Sequence, residues 1–189
     1  MDNCFKQDLN IAQLNIHSIR PIHKRETIKT YLKTKNIHIF LIQETWLKPD
    51  EKYKFLNYKF AKNCRPDGYG GTGILIHPTL IYEDINLTDI DLELTAIKIK
   101  NTKQPIIFIS TYIPPDTPIS EIKEPLEKLF HFISNSNTPV FLGGDLNAHH
   151  PTWDNVSKRT DGRGELISEL IDNNNVVILN TGVFQDGKT

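Results

Sequence analysis

An acid and an amide two residues apart, Asp145 and Asn147, close the segment Pro139-Val140-Phe141-Leu142-Gly143-Gly144-Asp145-Leu146-Asn147-Ala148-His149-His150. The apolar run reads as a buried strand. Alternate side chains of a strand share a face, so Asp145 and Asn147 point the same way if the extended geometry persists. A carboxylate beside a carboxamide, with glycines clearing space, can set a water or a metal against a phosphate. Turns favour Asp and Asn for their own reasons, so this chemistry needs support from elsewhere in the chain.

Three segments supply it. Leu9-Asn10-Ile11-Ala12-Gln13-Leu14-Asn15 alternates and ends on an amide. Ile37-His38-Ile39-Phe40-Leu41-Ile42-Gln43-Glu44-Thr45-Trp46 ends abruptly on a carboxylate, which is costly to bury unless a cation or donor meets it. Ile106-Ile107-Phe108-Ile109-Ser110-Thr111-Tyr112-Ile113-Pro114-Pro115 delivers a tyrosine before two prolines stop strand pairing. Four apolar strands thus carry polar side chains at their carboxyl ends, where sheet-based active sites collect.

In this order, Asn15, Gln43-Glu44-Thr45, Tyr112-Ile113-Pro114-Pro115 and Gly143-Gly144-Asp145-Leu146-Asn147 resemble the endonuclease/exonuclease/phosphatase superfamily. The extension Asn147-Ala148-His149-His150-Pro151-Thr152-Trp153 is similar to the apurinic-type endonuclease domain of non-LTR retrotransposons, especially arthropod jockey-like elements. The likeness runs from about Leu9 to the end of the chain. It implies a four-layer α/β-sandwich of two packed mixed sheets flanked by helices. It also implies a magnesium-dependent phosphodiesterase, with manganese as a substitute metal, that nicks DNA for reverse transcription.

In that scheme Glu44 is the metal ligand, and Asn15 and Asn147 orient water or the phosphate. Asp145 positions the nucleophile, and Tyr112 contacts the phosphate or the leaving group. Magnesium suits such a site because it keeps several waters and takes only one or two carboxylates. His149 and His150 are adjacent, so their rings cannot share a strand face or a metal; a structural or DNA-contacting role is expected, with one ring near Trp153. His17 reads as a surface histidine and Trp46 as a ring buried against the sheet.

Two departures bear on the activity. Relatives carry an Asp where this chain has His17. They also close the site with a Ser-x-x-Asp segment and a Ser-Asp-His triplet, which do not follow Asn180-Thr181-Gly182 here. The expectation is a domain over residues 9–189 without its last strands, after a short tail at 1–8. The alternatives are an inactive fragment of such an element with residual DNA binding, or a phosphatase of the same superfamily. The expected partners are DNA and a reverse transcriptase domain of the same polyprotein.

The elements that must position these residues are legible in outline. Residues 24–35 read as a helix with Ile28, Tyr31 and Leu32 inward and Arg25, Lys29 and Lys33 on an exposed row. A second helix carries Pro125 in its first turn and buries Leu126, Leu129, Phe130 and Ile133. A third spans about 165–172, and Val176-Val177-Ile178-Leu179 reads as a returning strand. Residues 92–100 alternate as a half-buried antiparallel strand, and 65–73 form a glycine-rich turn before the strand at 74–76.

Composition sets the outer bounds. At 189 residues, with 38% hydrophobic and 24% charged, the chain suits a single globular domain. It shows neither a membrane-length apolar run nor a secretory start, so a nuclear or cytoplasmic, non-secreted protein is expected, and Asn86-Leu87-Thr88 and Asn155-Val156-Ser157 are chance glycosylation matches. Two cysteines make no disulfide framework. The net charge of −1 leaves no overall nucleic-acid footprint. However, residues 20–35 hold six Lys or Arg against one acid, and 83–93 hold five acids and no base. Arg25 and Lys29 are therefore candidates for tracking a phosphate backbone, with the acidic run facing away.

Overall fold

Strands buried on both faces lay down the architecture. In the computed structural model, which describes Phe5, residues 8–154 and residues 158–180, eight strands form two four-stranded mixed sheets. The first sheet contains β1 (Ile11–Asn15), β2 (Ile39–Gln43), β3 (Lys59–Asn63) and β4 (Thr72–Ile76), in the order β1-β2-β4-β3. The second contains β5 (Tyr82–Ile85), β6 (Glu93–Ile99), β7 (Ile106–Tyr112) and β8 (Val140–Asp145), in sequence order. β1 runs parallel to β2 and β7 parallel to β8, while the other pairs are antiparallel. The α/β class and the packed mixed sheets expected from the sequence are what the chain adopts.

The chain divides into two compact units, Met1–Pro114 with Asn137–Leu146 and Pro115–Ser136 with Asn147–Thr189. Both sheets and helix α1 (Ile22–Thr34) belong to the first. Phe40 and Ile42 of β2 meet Ile28 and Leu32 of α1. The intervening residues Ile39 and Leu41 meet Ile97, Ile99 and Phe108 of the other sheet. β2 is buried on both faces, as its unbroken apolar run requires.

That alternation continues to the strand ends. Ile11, Gln13 and Asn15 share a face, as do Phe108, Ser110 and Tyr112, and Phe141, Gly143 and Asp145. The inter-sheet layer therefore begins apolar and turns polar at one edge. There Gln43, fully buried, donates to Ser110 Oγ at 2.9 Å, Ser110 donates to the Ile42 carbonyl, and Thr72 meets Thr95 at 2.8 Å. Each such bond contributes about 1 kcal/mol net, but leaving one unmade in this layer would cost more.

The second unit holds α2 (Ile119–Asn135) and α3 (Gly162–Asn173), which pack on each other. Pro125 lies inside α2, not in its first turn; the helix starts two turns' reach earlier, after Pro118, which is pre-set for a helix entry. The buried face of α2, including Pro125, Leu126 and Leu129, offsets the missing backbone donor. Residues 176–180 form no strand: they find no ladder partner among the described residues, and Val177 and Leu179 are exposed. β3 and β5 were not legible, because their exposed faces carry Lys, Glu and Asp in short runs. The motif at 155–157 and residues 181–189 lie outside the described residues.

Candidate active site

Asn15, at the end of β1, reaches two carboxylates with one amide nitrogen. Its Nδ2 donates to Glu44 Oε1 and to Asp145 Oδ2, each at 2.7 Å. Its Oδ1 accepts the His17 backbone N–H at 3.0 Å, which fixes the amide orientation. Tyr112, the register partner of Asp145, brings its hydroxyl close enough to Glu44 and Asp145 for both charges to act on it. Asn15, Glu44, Tyr112 and Asp145 therefore meet at the polar edge of the inter-sheet layer, all within the first unit.

The backbone is bent to make this meeting. Glu44 has φ +52° and Trp46 φ +55°, in the left-handed region that non-glycine residues avoid. The turn lies just beyond β2, where Thr45 N–H bonds to the Gly71 carbonyl and Trp46 N–H to the Gly70 carbonyl. Gly70 and Gly71 have φ +59° and +79°, and a Cβ on Gly71 would sit 2.9 Å from Thr45 Oγ1. Glu93, the first residue of β6, accepts the Gly71 N–H at 2.6 Å and pairs with Arg65 at 3.2 Å. Glu93 belongs to the acidic run expected to face away; instead it turns inward beside Tyr112, its register partner.

The electrostatics follow from this crowding. Burial pushes the Glu44 carboxyl up, but hydrogen bonds from Asn15, Trp46 Nε1 (3.1 Å) and His17 more than reverse it, so Glu44 sits below the ordinary carboxylate range. Burial, then the charges of Glu44, Asp145 and Glu93, push the Tyr112 hydroxyl up to about 12. At neutral pH the site thus combines an ionised Glu44 with a neutral tyrosine whose O–H keeps its proton and can donate a hydrogen bond.

The donors present are oxygens: two carboxylates and the Asn15 carboxamide. No group of three or more His, Cys, Asp or Glu gathers among the described residues. Such a set fits a hard dication that keeps most of its waters, and does not fit tetrahedral zinc.

The glycines before Asp145 clear space for the protein itself. A Cβ on Gly143 would meet Leu41 at 2.6 Å across the sheets, and one on Gly144 would strike the Thr111 carbonyl. Asn147 lies past the end of β8 at φ +47°, so the extended geometry expected to align it with Asp145 does not persist. It belongs to the second unit, as do His149 and His150. His149 Nδ1 is 3.6 Å from Asp154, while His150 bonds Thr152 Oγ1 at 2.7 Å and packs on Trp153 at 5.1 Å. Arg163, buried in α3, donates to the carbonyls of Asn147 (3.2 Å), Pro115 (3.2 Å) and Thr117 (2.7 Å). Nothing in the sequence marked it, since a lone Arg in a helix carries no signal.

On α1, Arg25 donates to the Ile19 and Arg20 carbonyls and lies 4.4 Å over the Tyr53 ring. Lys29 pairs with Glu26 at 2.8 Å. His17, exposed, sits 3.3 Å from Glu44. Trp46 is only partly buried and is held between rings, not under the sheet.

Residues 12–184 match the model of the Endonuclease/Exonuclease/phosphatase family. The chain belongs to that family. Its members are hydrolases acting on phosphodiester bonds, and the chain is an enzyme of that class by descent. Among solved structures, it is similar to the endonuclease domain of TRAS1, a telomere-specific non-LTR retrotransposon, with TM-score 0.74 and 22% identity over 93% of this chain and 74% of that one. An AP endonuclease from Archaeoglobus fulgidus follows with 0.66 and 20%, over 88% and 71%. A 3′ phosphatase from Neisseria, solved with a product DNA hairpin, gives 0.63 and 14%, over 87% and 71%. At these identities the likeness is one of fold. No curated protein sequence matches the chain. No helix among the described residues of this family member is long and apolar enough to cross a membrane.

Proposed function

We propose that this family member is a magnesium-dependent DNA endonuclease of the non-LTR retrotransposon type. The observation that carries the reading is the single Asn15 amide spanning Glu44 and Asp145, with Tyr112 closing the group. Hydrolysis of a phosphodiester needs charge neutralisation, an aligned water and a stabilised leaving oxygen. Glu44, with Asp145 beside it, would hold the dication, which supplies charge neutralisation at the phosphate when bound.

The chain's own residues divide the remaining work. Asn15 holds both carboxylates in register, so neither swings away when substrate arrives. Asp145 would accept a hydrogen bond from the attacking water and align it. Tyr112 stays protonated and offers its O–H to a phosphate or leaving oxygen. Asn147 is assigned to orienting the phosphate on its motif position. His149, His150, Arg25 and Lys29 are assigned to DNA contact on sequence grounds. A reverse transcriptase domain in the same polyprotein, target nicking for reverse transcription, and a nuclear or cytoplasmic location belong to the same reading. It is supported by the likeness to the TRAS1 domain and the His149-His150-x-x-Trp153 extension.

Plasmid nicking tests it. Supercoiled DNA should relax in Mg²⁺, and Glu44→Ala should abolish this. Release of inorganic phosphate from a 3′-phosphorylated oligonucleotide without any nicking would move the chain to the phosphatase side of the family.

A further inference from the structure

Beside Glu44 lies a strip of three rings from three different loops. Trp46 stands at the centre, with the His17 ring 4.5 Å away and the Tyr69 ring 5.5 Å away, both edge-on. The His17 side chain is 70% exposed and Tyr69 is 60% exposed. Chains usually turn such rings inward, where each adds apolar burial. Here the loops that present two of the rings are strained, with left-handed φ at His17 and Ser18 in one and at Glu44 and Trp46 in the other.

The strip is also held rigidly. The indole Nε1 donates to Glu44, and the Trp46 backbone N–H to Gly70, whose neighbour Gly71 is clamped by Glu93. With its one polar atom satisfied at the carboxylate, Trp46 has only its ring surface to offer. Arg20 and Lys48 lie close to Gly68, next to Tyr69, the Arg20 guanidinium being paired with Glu51 at 2.8 Å. A planar ligand joined to a phosphate suits this arrangement: rings to stack on, the Glu44 carboxylate and proposed metal site at one end, and Lys48 at the other.

We infer that the His17–Trp46–Tyr69 strip is a stacking platform for a nucleobase of the DNA strand, adjoining the phosphate held near Glu44. The inference rests on the nuclease reading above and adds to it a base-contacting surface. Every base has a π-face, so the platform grips without reading sequence, and it prefers a base that is already unpaired. Its contribution is not ionic and leaves the salt dependence of binding unchanged.

The test measures affinity of the full chain for a fluorescein-labelled single-stranded oligonucleotide in EDTA, over a range of salt. Tyr69→Ala, which touches no proposed metal or water-positioning group, should weaken binding about tenfold with an unchanged salt slope. Trp46→Ala should weaken it at least as much, and Trp46→Phe, which keeps a ring, should restore most of it. A 2-aminopurine placed next to the nick position should be quenched by the wild type and not by Trp46→Ala. Wild-type affinity in both alanine variants, with matching thermal unfolding, overturns the platform. Nicking is measured separately in Mg²⁺, so a chain that nicks DNA yet shows no ring dependence overturns the platform alone. A chain that neither binds nor nicks DNA overturns both readings.

Discussion

The Asn15 amide nitrogen and Asp145 Oδ2 lie 2.7 Å apart across 130 residues of sequence, joining the outer strand of one sheet to the outer strand of the other. The same nitrogen also serves Glu44, so the amide is the shared hinge-pin of the two carboxylates. Asn15→Ala should lower the rate of plasmid nicking about a hundredfold, because a preorganised donor is lost while both acids remain. Asn15→Asp should do worse, since a third carboxylate would raise the carboxyl pKa values of its neighbours. A nicking rate within threefold of wild type for Asn15→Ala would remove the amide from the mechanism.

Gly71 carries a second expectation. Its φ of +79° and the nearness of Thr45 Oγ1 and the Asn63 carbonyl leave no room for a side chain. Gly71→Ala should destabilise by about 1–3 kcal/mol in urea unfolding and depress nicking further, because the turn holds the backbone after Glu44. Equal stability and activity would show that the turn relaxes freely.

Arg163 is expected to matter for stability alone. It satisfies three backbone carbonyls from a buried position in α3. Arg163→Met leaves those carbonyls without their cationic donor and should cost about 2–4 kcal/mol. Arg163→Lys should recover only part, since an ammonium lacks the planar fork. Unfolding midpoints of the two variants decide the matter.

The salt dependence of DNA binding separates two cations on α1. Lys29→Ala should flatten the log–log slope by about 0.9 if Lys29 meets a phosphate, without loss of stability. Arg25→Ala should lower the unfolding midpoint as well, because Arg25 also ties down the loop before α1 and covers Tyr53. An unchanged slope in both would assign this face to solvation.

Stability should depend on pH through His38. Its Nδ1 accepts the Asn10 N–H at 3.0 Å, and burial, then the nearby His77, holds its pKa below the usual value. The unfolded chain therefore binds the proton more readily. The contribution is complete above about pH 6.5 and is lost as pH falls below that toward the folded value. Urea midpoints at pH 7.5 and 5.5 should differ in that direction, and His38→Asn should narrow the gap.

Much of this protein was written locally. The strand segments 11–15, 39–43, 106–112 and 140–145 already placed Asn15, Gln43, Tyr112 and Asp145 on one face of each strand, because strand side chains repeat every two residues. Tertiary structure decided that these faces look at each other, and that the polar ends of parallel and antiparallel strands line up at one edge. It also decided the fate of residues whose neighbours in sequence say little: Glu93 drawn in beside Tyr112, Trp46 turned out by a left-handed backbone, Arg163 spent on distant carbonyls. Val176 to Leu179 shows the converse. Its apolar, β-branched run suits a strand, but a strand is completed by a neighbour's hydrogen bonds, and no residue pattern within one segment can supply those.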